Sequence, residues 1–141
     1  MKRIIVLAVS IHLSIHFICN ANANDLLEAI SQVESGANDF AVGARGERGR
    51  FQIQTLTWSA YSKSRNYTDA KVSRDVAERH LHFCRTQFRD ATGRDPSDFD
   101  AAVMWTAGFA GYRRKDFKPE RLTRSVRNYA TRVVNIQQNT K

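Results

Sequence analysis

Apolar residues recur at helical spacing along most of the chain. Leu26, Ile30 and Val33 lie four and three residues apart, one face of a helix, and Asp25 with Glu28 makes a D-x-x-E capping box at its start. Gly36 falls where a left-handed C-cap belongs, so Glu34 sits in the last turn. A glycine-bearing loop follows through Gly49, with room for a small hairpin. Thr55 or Thr57 can then cap a short helix holding Trp58 and Tyr61. A longer helix is predicted over about 70–91, turning Val72, Val76, Leu81, Cys84 and Phe88 inward and stopping at Gly93. Asp95-Pro96-Ser97 reads as the start of a more apolar helix with Phe99, Val103, Met104 and Trp105. Pro119 fits the first position of a last helix, whose stripe is Leu122, Val126, Tyr129, Ala130 and Val133. From about Gln137 the chain reads as frayed. The pattern predicts an all-α fold with one core and no repeat or linker.

The N-terminus stands outside that pattern. Lys2 and Arg3 precede an apolar stretch that ends at Ala21-Asn22-Ala23, a small-x-small site of the kind signal peptidase cleaves. The stretch is short for a membrane span and is interrupted by His12 and His16. Residues 1–23 therefore read as a signal peptide, and 24–141 as a single exported domain, periplasmic or secreted. Cleavage removes two basic residues and no acidic one, so the formal net charge of +8 becomes +6. A cationic exported domain suits an anionic surface such as nucleic acid, acidic lipid headgroups or a wall polymer bearing carboxylates and phosphates. Cys19 leaves with the signal, and Cys84 then has no intramolecular partner, which excludes a disulfide-stapled scaffold.

The stretch from Val33 to Gln54, "VESGANDFAVGARGERGRFQIQ", carries the candidate chemistry. A carboxyl group at a helix C-terminus meets the partial negative charge of unpaired carbonyls. Aromatic neighbours such as Phe51 and Trp105 would desolvate it and raise its pKa. A carboxylic acid still protonated near neutral pH can protonate a leaving oxygen, as glycosidic-bond cleavage requires. An isolated Glu in this position would more simply be a solvated helix end.

Glu34 is not isolated. Glu34-Ser35-Gly36-Ala37-Asn38, Ala41-Val42-Gly43, Gly46-Glu47-Arg48-Gly49-Arg50-Phe51-Gln52-Ile53 and Thr55-Leu56-Thr57-Trp58 follow one another. This run resembles the N-terminal motif of the SLT-type lytic transglycosylases, which share a fold with goose-type lysozymes. That motif runs E-S-G-x-N, A-V/I-G, G-x-x-G-x-x-Q-I and T-x-W. The resemblance continues at Trp105-Thr106-Ala107-Gly108 and at Tyr129 to Val133, covering roughly Leu26 to Val134. It implies a lysozyme-like single domain with a substrate cleft. It implies Glu34 as catalytic acid/base, Ser35 as a neighbour orienting the acid or an N-acetyl group, and Gln52 as an amide lining the saccharide groove. Phe51, Trp105 and Tyr129 would supply aromatic contacts to substrate or acid. The implied reaction cleaves the β-1,4 bond between N-acetylmuramic acid and N-acetylglucosamine. One Glu suffices, because the muramic acid C6 hydroxyl attacks its own C1 and leaves a 1,6-anhydro end. Thr106 stands where the family usually has Asn, and Ser125-Val126 where many members carry Glu-Thr.

Other residues carry alternatives. Glu47, with Asp39 and Asp100 behind it, is a candidate second carboxylate for true hydrolysis; otherwise it is a loop charge paired with Arg45 or Arg48. Gln52 can equally tie down the glycine loop, and Trp105 and Tyr129 can be core. His80 and Cys84 share a helix face in "HLHFC", but a zinc site needs three or four ligands and no partner cluster exists, so no metal is expected. No organic cofactor is expected either. The basic stretch Tyr112 to Lys118 and Arg121, Arg124, Arg127 and Arg132 lack any nucleic-acid-binding signature, so the expected partner is peptidoglycan rather than nucleic acid. A monomer without a membrane span after signal cleavage is expected. The alternatives are a muramidase or chitinase-type hydrolase on the same fold, and a non-catalytic glycan-binding module.

Overall fold

The computed structural model describes residues 26–139, and they are all-α. Helix α1 spans 26–35, α2 Thr55–Tyr61, α3 Ala70–Thr92, α4 Asp98–Arg113 and α5 Arg124–Asn139. The signal peptide expected over 1–23 and the Asp25 half of the capping box lie outside the described residues. Among those residues no helix is long and apolar enough to cross a membrane.

Local signals set most boundaries. Asp69 caps α3 by accepting from the Lys71 and Val72 amides, and Gly93 stops it at φ 71°. Ser97 and Asp100 form a full capping box on α4; an N-cap of this kind stabilises a helix by about 1 kcal/mol. At the end of α1, Gly36 N–H donates to Gln32 O and Ala37 N–H to Ser31 O, a Schellman closure widened by one residue, with Gly36 at φ 66° and Ala37 at φ 59°. The 23-residue α3 turns Val76, Leu81, Cys84 and Phe88 inward, against Leu26, Ile30, Trp58, Met104 and Val133 from the other helices.

Several expectations need correction. Neither Thr55 nor Thr57 caps α2; Gln54 precedes the helix and gives no side-chain cap. Pro119 opens a short 3-10 turn, Pro119–Arg121, and α5 begins only at Arg124. Between them Leu122 is extended, at φ −72° and ψ 150°, so one helix cannot run through. Gln137 is not frayed: it is buried and its amide donates to Asp98 at 2.9 Å. The glycine loop makes no strand among the described residues, only single bridges between Val42 and Arg48 and between Arg48 and Ile53. Gly108, at φ 71° and ψ 158°, breaks α4 from within. A residue with a Cβ enters that region reluctantly, so Gly108 allows the kink, which follows the exposed Thr106 and the half-buried Ala107.

Candidate functional site

Glu34 lies on the wall of a cleft of about 560 Å³, which the glycine loop, α3 and the segment around the α4 kink enclose. Glu47, Gln52, His80 and Trp105 share that wall. Glu34 reaches it because the Schellman closure ends α1 one residue beyond Ser35.

The Tyr129 hydroxyl, from α5, donates to Glu34 Oε1 at 2.7 Å. Burial is the largest influence on the Glu34 carboxyl and raises its pKa above the ordinary value. The Tyr129 hydrogen bond opposes that shift, the negative charge of Glu47 adds to it, and the Trp105 side chain pulls weakly downward. The net direction is up, towards a carboxyl group that keeps its proton to higher pH. Burial, reinforced by Glu34, raises the Tyr129 phenol too and keeps it a donor.

Trp105 is held from two sides. Phe51 meets it edge-on with centroids 6.3 Å apart, and His80 meets its other side at 5.2 Å. Phe51 is fully buried, which corrects its reading as a saccharide contact: a ring with no exposed surface supports Trp105 from behind. His80 is the cleft residue that sequence reasoning missed. It lies one turn beyond Val76 on the inward stripe of α3, a signal for burial but not for the cleft. Burial lowers its pKa, so the imidazole is neutral at pH 7. Cys84 lies beneath it, buried, with its thiol pushed up to about 11 by desolvation. Among the described residues no group of three or more potential ligands could hold a metal ion.

Ser35 does not project into the cleft. Its hydroxyl donates to Arg50 O at 2.8 Å and accepts from Asn38 N–H at 3.0 Å. It ties the loop to the end of α1 and so acts on Glu34 only by fixing the turn beside it. Gln52, at φ 47°, donates through Nε2 to Gly49 O at 2.8 Å. The structural role weighed for this amide is therefore present, and its Oε1 remains on the cleft wall.

Glu47 is buried against the loop, with 9% of its surface exposed. Its two carboxylate oxygens accept from Arg45 N–H and Arg45 Nε, both at 3.0 Å. Backbone N–H groups, its own first, lower its pKa below the ordinary value, and Arg45 helps to outweigh burial. Arg48 is not its partner; that guanidinium lies 5.8 Å over the Tyr67 ring. Asp39 is held by both nitrogens of the Arg50 fork at 2.6 and 2.9 Å. Asp100 is buried under Arg94, Ser97 and Tyr112. Neither lines the cleft, so among the described residues Glu47 is the carboxylate that accompanies Glu34 there.

The arrangement can hold a proton on Glu34, release it to a ligand atom in the cleft, and stabilise the resulting carboxylate through Tyr129. Compared with known proteins, the chain matches no family model and no curated protein.

Proposed function

We propose that this protein is an exported peptidoglycan lytic transglycosylase with a lysozyme-like domain and Glu34 as its acid and base. The observation that carries the reading is the environment of Glu34: a carboxyl group on a cleft wall, its pKa raised chiefly by burial, in contact with a single phenol donor. The motif resemblance supplies the substrate class.

In this mechanism protonated Glu34 gives its proton to the glycosidic oxygen as the C1–O bond breaks. The resulting carboxylate is stabilised by the Tyr129 hydroxyl, because a hydrogen bond to the charged form favours it. The same carboxylate then accepts the proton of the muramic acid C6 hydroxyl as that oxygen bonds to C1. Glu34 ends protonated, as it began, and no second carboxylate is used. Trp105, braced by Phe51 and His80, offers a fixed aromatic face to the sugar, and Gln52 Oε1 offers an acceptor.

Hydrolysis is the second reading, favoured by the presence of a charged Glu47 on the same wall. Its engagement with Arg45 argues for a structural role instead. Digestion of purified sacculi by the protein and its Glu34→Gln variant, read by mass spectrometry, separates the two. Products lighter by one water with 1,6-anhydro ends, absent from the variant, are expected. Reducing ends would replace the proposal with hydrolysis, and no soluble product from either protein would leave a glycan-binding module.

A further inference from the structure

The charge of this molecule is segregated. Residues 26–112 contain eleven basic and eleven acidic side chains, whereas residues 113–132 contain eight basic and two acidic. The excess over the described residues thus lies in one twenty-residue segment. Earlier in the chain, carboxylates neutralise many arginines: Arg50 pairs with Asp39, Arg79 with Asp75, Arg85 with Asp98 and Arg94 with Asp100.

The segment from 113 to 132 is different. Arg121 pairs with Asp116, and Arg127 donates to the Leu122 carbonyl. Arg113, Arg114, Lys115, Lys118, Arg124 and Arg132 are exposed and have no carboxylate within ion-pair distance among the described residues. They share one corner of the fold, because the chain leaves α4 at Arg113, reverses through Asp116 and Phe117, and enters α5 at Arg124. Arg132 lies about 12 Å further along α5 at helical rise. Helix α5 contains no acidic residue at all. Two arginines also occupy its first turn, where the positive end of the helix dipole disfavours them. So much unpaired like charge lowers stability through self-repulsion, and a polyanion relieves that repulsion.

The chemistry of the surface narrows the partner. Tyr112 is buried, and Phe117 packs against Phe88, Phe109 and Tyr112. The exposed large apolar residues are Phe40, Val42, Leu56 and Phe83, all outside the segment. The basic corner therefore has no aromatic face free for base stacking and no apolar wedge for a bilayer. It has arginine forks, which match carboxylates in two-point geometry.

We infer that this basic corner is a second substrate-binding surface, one that holds the carboxylate-bearing peptide stems of peptidoglycan away from the cleft. The identity of the polymer rests on the proposed function; the polyanion surface does not. Helix α5 links the two regions: Arg124 stands at its start, whereas further along Tyr129 reaches Glu34 and Arg132 acts electrostatically on Tyr129. Anchoring through the corner would keep successive bonds of one polymer near the cleft, an effective-concentration gain that leaves the chemical step alone.

The test is co-sedimentation with purified sacculi, using the Glu34→Gln protein so that binding is read without turnover. Binding should be released by about 0.5 M NaCl, where screening removes exposed charge–charge attraction. The Arg114→Gln/Lys118→Gln/Arg124→Gln variant should bind about tenfold more weakly, as for three exposed ion pairs. Sacculi whose carboxylates have been amidated should show the same loss with the unaltered surface, which keeps the test valid if the triple variant folds poorly. In the active background the triple variant should retain turnover of short soluble glycan fragments. Salt-insensitive binding, or full binding to amidated sacculi, would overturn the inference. So would tighter binding to duplex DNA or to phosphatidylglycerol vesicles than to sacculi at equal salt.

Discussion

Tyr129 donates its phenolic proton to Glu34 at 2.7 Å across 95 positions of sequence, joining α5 to the end of α1. The bond opposes the upward shift that burial imposes on the carboxyl group. It also fixes which way Glu34 faces.

Tyr129→Phe keeps the ring and removes the donor. A hydrogen bond to a charged group contributes about 1.5–3 kcal/mol, so turnover of sacculi should fall roughly ten- to a hundredfold. The Glu34 pKa should rise further, moving the alkaline limb of the pH–rate profile to higher pH. An unchanged profile in this variant would show that the contact does not govern the acid.

Glu34→Gln should abolish turnover and stabilise the fold. A carboxyl group with a raised folded-state pKa contributes stability that is fully present below the unfolded pKa and lost as pH rises through the folded one. Its amide isostere escapes that loss and can still accept from Tyr129. Thermal melts should show the variant ahead by about 0.5–2 kcal/mol at pH 8, the common size of a single stabilising substitution, and the gap should shrink towards pH 4. A gap independent of pH would contradict burial as the main cause of the shift.

Glu47→Gln removes a negative charge that helps to raise the Glu34 pKa. The alkaline limb should move to lower pH, with turnover at acidic pH close to that of the unaltered protein. A loss of about a hundredfold or more at every pH, the size of a general-base contribution, would instead make Glu47 the second carboxylate of a hydrolase.

Gly43 and Gly49 should respond differently to alanine. A Cβ on Gly49 would lie 2.7 Å from the Tyr67 carbonyl oxygen, and the residue already has φ 68°. Backbone cannot retreat as a side chain can, so Gly49→Ala should destabilise by about 2–4 kcal/mol. The nearest neighbours of a Cβ on Gly43 are side-chain atoms of Glu47 and Gln52, the latter 2.6 Å away. Gly43→Ala should therefore lose under about 1 kcal/mol of stability yet displace two groups on the cleft wall and lower turnover about tenfold or more. Denaturant unfolding and sacculus digestion on both variants provide the check; equal stability losses would refute the distinction.

Local chemistry made the helices legible. Gly36 and Gly93 end α1 and α3 because a left-handed residue closes the last carbonyls within a few positions, and Ser97 starts α4 because its hydroxyl reaches an amide three residues on. Such bonds are complete within one turn, so the residue types alone announce them. The reading of Glu34 as a helix-end carboxyl followed from the same logic.

What each side chain faces was a matter of packing. The sequence by itself determined an all-α chain, the turn that follows Glu34 and the basic character of its last third. Only the tertiary structure decided that Phe51 is buried behind Trp105, that Ser35 is bound to loop backbone, that Arg45 claims Glu47, that His80 reaches the cleft and that Gln137 docks on Asp98. These outcomes depend on contacts between distant segments, and no pattern within one turn of helix encodes which partner an amide, ring or carboxylate will meet.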